Sequence, residues 1–278
     1  MKLVSSAKLR KAQNAIEAMR PYEEQLLGIL ASLQGGTAGV SSLNLGKNKD
    51  ERKTIVAIAS NSSLCGGFNA NAIAKVRAIR RPGDTVYAIG RKMADAMRKE
   101  GFASPEDFSA LSEHPSYGPA AALVEKLVAD VEAGRTGAVV LVYNHFVSTA
   151  RQEPVVEVLM QRSSEGEESL SSTSLRDPVR ANVPERNSSP APSYIAPLLE
   201  PSRAVLLEAL VPKTRKLKLY AALLDSAAAE HAARTVAMQT ATDNAENLLA
   251  ELTLQYNKGR QQKITSEILD LAGGQAEN

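Results

Sequence analysis

Tryptophan is absent, only 4% of the 278 residues are aromatic, and Cys65 is the single cysteine. One cysteine cannot close an internal disulfide, and the start MKLVSSAKLR lacks an apolar signal core, so a reducing cytoplasmic compartment is expected. No apolar run approaches the roughly 18 residues of a membrane span, so direct membrane insertion is not expected and any attachment would pass through partners. A charge excess is missing too. The balance of 33 basic against 31 acidic residues leaves +2, which excludes nucleic-acid binding driven by phosphate neutralisation. Alanine is plentiful, and together with the scarcity of aromatics this favours long, closely packed helices over a thick core.

From Leu3 to about Leu33, the residues Leu9, Ala12, Ile16, Met19, Leu26, Leu30 and Leu33 recur mostly at steps of three and four, the mark of a helix with one buried seam. Pro21 predicts a mild kink or local break near Arg20. The period then changes. Thr54 to Ala59, Asp84 to Ile89 and Ala138 to Tyr143 are short, β-branched and almost continuously apolar, as in strands covered on both faces. Helical patterns fall between them, at about Asn69 to Ile79, Arg91 to Glu100 and Pro119 to Glu132, which predicts a small α/β layer. Val155 to Met160 reads as a further strand returning antiparallel beside the third. Gln161 to Pro192 is rich in Ser, Glu, Arg and Pro, and is expected as a mobile surface insertion centred on about 163–189.

Helix returns at Ser202 to Leu210 and, with Pro212 read as a helix start, continues to about Ala272. Sixty residues at 1.5 Å each make a rod of roughly 90 Å, longer than a globular domain holds within itself. Its seam reads Leu217, Tyr220, Leu224, Ala227, Ala241, Ala245, Leu248, Leu252, Ile264, Ile268 and Leu271. The first helix is its expected antiparallel partner, with Leu33 near the start of the rod and Met1 level with Ala245 or Leu248. This divides the chain into an N-terminal coiled-coil helix (1–36), an α/β domain (37–201) and a C-terminal helical rod (202–278).

The chemical motifs are sparse. Gly46-Lys47 lacks the upstream glycine of a phosphate-binding loop, and no GxGxxG follows a strand. His114, His145 and His231 lie on separate elements without metal-ligand spacing, so neither a metal nor a cofactor is expected. Cys65 follows a strand and precedes a helix, where a thiol can be activated or can simply pack as a small apolar group. Lys8, Arg10 and Lys11 on the first helix and Arg215 and Lys216 on the rod concentrate positive charge, on solvated faces or against acidic partner segments.

Several segments resemble the gamma subunit of F-type ATP synthase, the central stalk of a rotary complex. The most specific are Arg234 to Ala245 (RTVAMQTATDNA), Tyr256 to Gln261 (YNKGRQ) and Ile264 to Asp270 (ITSEILD). They are joined by Ser5 to Gln13 (SSAKLRKAQ), Leu64 to Asn69 (LCGGFN), Tyr143 to Phe146 (YNHF), and Tyr194-Ile195 ahead of Glu200-Pro201. The chain departs from the family pattern at Asn61-Ser62-Ser63 and at Gly274-Gln275, and is expected to start inside the family's first helix.

The resemblance implies an α/β fold class: a long antiparallel coiled coil of the N- and C-terminal helices with an inserted small Rossmann-like α/β domain. It implies a non-catalytic rotor that couples c-ring rotation to conformational change in the catalytic beta subunits. The implied partners are the alpha, beta and epsilon subunits and the membrane c-ring, at the cytoplasmic face of the bacterial inner membrane. Arg260 and Gln261 match the family positions that meet a loop of the beta subunit. Two other readings stay open: a small-molecule-binding α/β enzyme with a helical oligomerisation arm and Cys65 as nucleophile, and a coiled-coil scaffold.

Overall fold

The structure, a computed structural model, describes residues 2–33, 52–102, 104–162, 200 and 202–275. The polar segment before the first strand and the Ser-rich insertion lie outside the described residues. In chain order the elements are α1 (Lys2–Leu33), β1 (Lys53–Ile58), α2 (Phe68–Ile79), β2 (Thr85–Ile89), α3 (Arg91–Lys99), α4 (Ser109–Glu113), α5 (Tyr117–Glu132), β3 (Ala138–Phe146), β4 (Gln152–Gln161) and α6 (Arg203–Gln275).

The sheet has the order β2-β1-β3-β4, with β1 parallel to both β2 and β3 and β4 antiparallel to β3. Strand alternation divides the apolar residues between two faces. Ile55, Ala57, Val86 and Ala88 pack with Ala72 and Val76 of α2 and Met93 and Met97 of α3. On the opposite face Val56, Ile58, Ile89, Val139 and Leu141 pack with Leu123 and Leu127 of α5 and Leu219 and Leu223 of α6. Burial on both faces is why these strands read as continuous apolar runs and not as an alternating pattern. The short α4, which has no period of its own, was not legible in the sequence.

At the ends of β1 and β2 the chain comes very close to itself. Gly90, at φ +101°, would place a Cβ 2.1 Å from the Ala59 carbonyl oxygen, so only glycine fits there.

The long helix corrects three expectations. Pro212 does not begin a helix, the Ser202 to Leu210 pattern is not a separate piece, and the local break, one of the two outcomes expected at Pro21, does not occur, since α1 runs through it as one helix. A proline removes one backbone donor and displaces the carbonyl four residues earlier. Those carbonyls belong to Glu17 and Glu208, both exposed, where water can satisfy them. Because α6 starts at Arg203, α1 pairs with an earlier part of it than the sequence implied. Leu9 sits against Ala228 and Ala232, whereas Glu23 lies in a cleft with Lys218 and Asp225, which fixes the pair as antiparallel. Lys2 then falls level with about residue 238 at helical rise, roughly two turns short of the level expected from sequence.

Candidate functional site

The two long helices meet through small residues. Ala228 and Ala232 are fully buried under Leu9, with Ala12 and Ile16 packed alongside. Ala229 and Ala233 face the other way, against Cys65 and Phe68 of the β1–α2 turn. Alanines on both faces let α6 pass between α1 and the turn at close range, which a larger side chain would prevent.

Of the seam residues named from sequence, Leu9, Leu217 and Leu224 are buried, and Ala12, Ile16, Met19 and Tyr220 are half-buried. Ala241, Ala245, Leu248 and Leu252 are exposed, as is every residue from Thr240 to Leu269, so this part of the seam has no partner among the described residues. In this register the described residues of α1 reach only to about the level of residue 238. The exposed stretch carries Leu248, Leu252 and Tyr256, then Ile264 and Ile268, at steps of four. Contiguous apolar surface of this kind on a helix that projects past its own domain is the pattern expected of a partner-binding face. Arg260 and Gln261 stand on the same exposed stretch, and neither side chain has a hydrogen-bond partner among the described residues.

A second feature lies where the pairing ends. Glu230 and Arg234 form an ion pair at 2.7 Å along α6, with side chains only 11% and 12% exposed. Burial raises the Glu230 carboxyl above the ordinary range against the opposing pull of Arg234. Burial, with Arg234 and Lys8 close by, pushes His231 down to about 4. Arg234 Nη2 and His231 Nδ1 are buried without a hydrogen-bond partner among the described residues. They border a cleft of about 340 Å3 that Lys8 and Arg91 also line. Lys8, Arg10 and Lys11 are exposed, whereas Arg215 is half-buried and Lys216 is held 2.5 Å from Glu125 of α5. Lys216 is thus paired within the chain; the sequence could not show this, since Glu125 lies on an element 91 positions away.

The turn after β1 is tied up internally. Asn69 accepts the Ser60 backbone N–H at 3.0 Å and donates to Ser60 Oγ at 2.8 Å and to Cys65 Sγ at 3.2 Å. Cys65 is 2% exposed and packs on Phe68 and Ala229, so its thiol does not face a substrate. The reading of Cys65 as a nucleophile finds no support in this geometry. Among the described residues no three His, Cys, Asp or Glu side chains gather as a metal site. Among the described residues no helix is long and apolar enough to cross a membrane.

A family model described as ATP synthase matches residues 1–276. The chain is 43% identical to the ATP synthase gamma chain of Phocaeicola vulgatus, over 99% of this chain and 91% of that one. The chain belongs to the ATP synthase gamma chain family. The gamma chain of Bacteroides thetaiotaomicron is 39% identical over the same shares of the two chains. A solved chain from Euglena gracilis mitochondrial ATP synthase, OSCP/F1/c-ring in rotational state 3, superposes with a TM-score of 0.58 over 98% of this chain and 94% of that one. At 18% identity, that likeness speaks for the fold.

Proposed function

We propose that this chain is the central rotor stalk of a proton-translocating F-type ATP synthase. The exposed half of α6 stands within the ring of alpha and beta subunits, and the α/β domain forms the foot on the membrane c-ring beside epsilon. The complex sits at the cytoplasmic face of the bacterial inner membrane, and this chain is peripheral and does no chemistry of its own. Rotation of the foot turns an off-centre shaft, which passes energy to the beta subunits by shape and contact.

The observation that carries this reading is the projecting half of α6. It is helical to Gln275 yet exposed throughout from Thr240 to Leu269, in a chain whose family is that of the gamma subunit. A helix of this kind, with an apolar stripe and no partner in its own chain, requires an enclosing structure.

Arg260 and Gln261 serve as the catch on a beta-subunit loop. A guanidinium grips carboxylates or carbonyls with two parallel hydrogen bonds and keeps its charge throughout the cycle. Lys8, Arg10, Lys11 and Arg215 face acidic partner segments, with Lys8 beside the unpartnered Arg234 Nη2. Lys216 joins them only by leaving Glu125.

The test is ATP-driven proton pumping by membranes carrying Arg260→Ala or Gln261→Ala. A hydrogen bond to a charged group contributes about 1.5 to 3 kcal/mol, so both variants should assemble with alpha, beta and epsilon yet pump less, Arg260→Ala by the larger margin. Unimpaired pumping in both would overturn the catch, and failure of the wild-type chain to copurify with those subunits would overturn the rotor.

A further inference from the structure

Glu23 of α1 faces a cleft of about 410 Å3 between the long helices and the domain, and three more carboxylates line the same space: Glu17 of its own helix, Glu157 of β4 and Asp225 of α6. The donors around it are already committed. Lys218 of α6 bridges Glu157 at 3.2 Å and donates to the Val158 carbonyl at 3.1 Å. Tyr143 of β3 donates its hydroxyl to Glu157 at 3.0 Å. Asp225 accepts the Phe146 backbone N–H at 3.0 Å and lies 2.5 Å from His145 Nδ1, which pairs as a cation only when protonated.

Glu23 itself makes no hydrogen bond or ion pair among the described residues. On its own helix it is flanked by Glu17 and Arg20, both exposed to solvent. Ionised, it therefore places an unanswered negative charge beside the others in a half-dry cleft. Burial, with Glu157 adding to it, raises its carboxyl above the ordinary range despite the pull of Lys218 and Arg20. Asp225 is also raised by burial, but the His145 ring and the Phe146 backbone N–H pull it the other way by holding its ionised form, whereas Glu23 has no such donor among the described residues.

We propose that the junction between α1 and the domain is tightened by acid, through uptake of one proton at Glu23 that lets α1 close on β4 and α6. The sign follows from linkage. A carboxyl whose folded state holds its proton more firmly than the open state weakens the contact as pH rises, and the contact is strongest in mildly acidic solution. Because α1 and α6 make up the shaft, the device would set how firmly the shaft is seated in its foot according to the proton activity around it.

The experiment is hydrogen exchange on the full chain, followed at the amides of residues 17–27 and divided by the intrinsic chemical rate, at about pH 5.5 and about pH 8. In the wild type, opening should be about threefold or more rarer at the lower pH. Glu23→Gln carries the neutral form at every pH, so it should show the slow rate at both values and exceed wild-type protection at the higher one. Glu24→Gln, at an exposed neighbouring position, should keep the wild-type dependence. Any titration elsewhere acts alike on all three proteins and cancels in the comparison. A wild-type ratio of one, an inverted ratio, a ratio that survives in Glu23→Gln, or a Glu23→Gln chain less protected than wild type at the higher pH would each overturn the proposal.

Discussion

The two halves of α6 belong to one continuous helix and stand in opposite circumstances. Between Leu217 and Ala233 the helix is wedged against the sheet, α5 and α1, and Leu219, Ala228, Ala229 and Ala232 are fully buried. From Thr240 to Leu269 every residue is exposed. Alanine makes up 7 of the 17 residues of the first half and 3 of the 30 of the second, so helix propensity also favours the first, yet both are helical throughout. The difference lies in what stands beside the helix. The first half gains its stability from burial within this chain, and the second has only propensity and its own side-chain contacts until a partner arrives.

The largest expected effect tests that contrast directly. Leu219→Ala should destabilise the chain by about 2 to 5 kcal/mol, because the site is tightly packed on several elements and cannot collapse. Leu252→Ala, at an exposed position, should stay within about 0.5 kcal/mol of wild type. Calorimetric unfolding of both variants checks this, and similar losses in the two would mean that the projecting half is packed in the isolated chain.

Acid should act on the buried half alone. His231 is held down at about 4, so the folded chain stays neutral there while the unfolded chain takes up a proton below about 6.5. Its contribution is complete above that value and falls away as pH drops toward about 4, by at most about 3 kcal/mol. Denaturant titrations across this window should show a smaller loss in His231→Gln than in wild type. Where the Glu23 carboxyl opposes this trend, its effect is confined to the contact of α1.

The smallest effect in free energy is the most informative about register. Amide exchange along α6 should lose protection by about residue 240, where α1 ends, with slow exchange retained from Leu217 to Ala233. The sequence-derived register, with Met1 level with Ala245 or Leu248, sets this boundary just beyond, near Leu249. Protection that persisted to Leu249 would restore the sequence-derived register and show that α1 pairs further along α6 than the structure has it. Assembly with alpha and beta subunits should extend protection into the exposed half.

The sequence made the parts of this fold legible where one force decided them. The apolar runs of β1, β2 and β3 have no alternation because both faces are covered, and this fixed them as strands of a layered sheet. The antiparallel return of β4 followed from the short connection after β3. The segments around Arg234 to Ala245 and Tyr256 to Gln261 carried the family likeness by the identity and order of their residues, which periodicity alone does not show.

What the sequence could not determine depended on neighbours distant along the chain. Pro212 reads as a start by local rule, and only the solvent around Glu208 allows the helix to run through it. The extra turns gained before Pro212 move the whole α1 pairing by roughly two turns, because one register is shared by every contact between two rods. That shift left Ala241, Ala245, Leu248 and Leu252 uncovered, and it brought Glu23 opposite Lys218 and Asp225. Periodicity determines which face of a helix is apolar. What lies against that face, and where along the helix it stops, was decided by the packing of α1 and the sheet on α6.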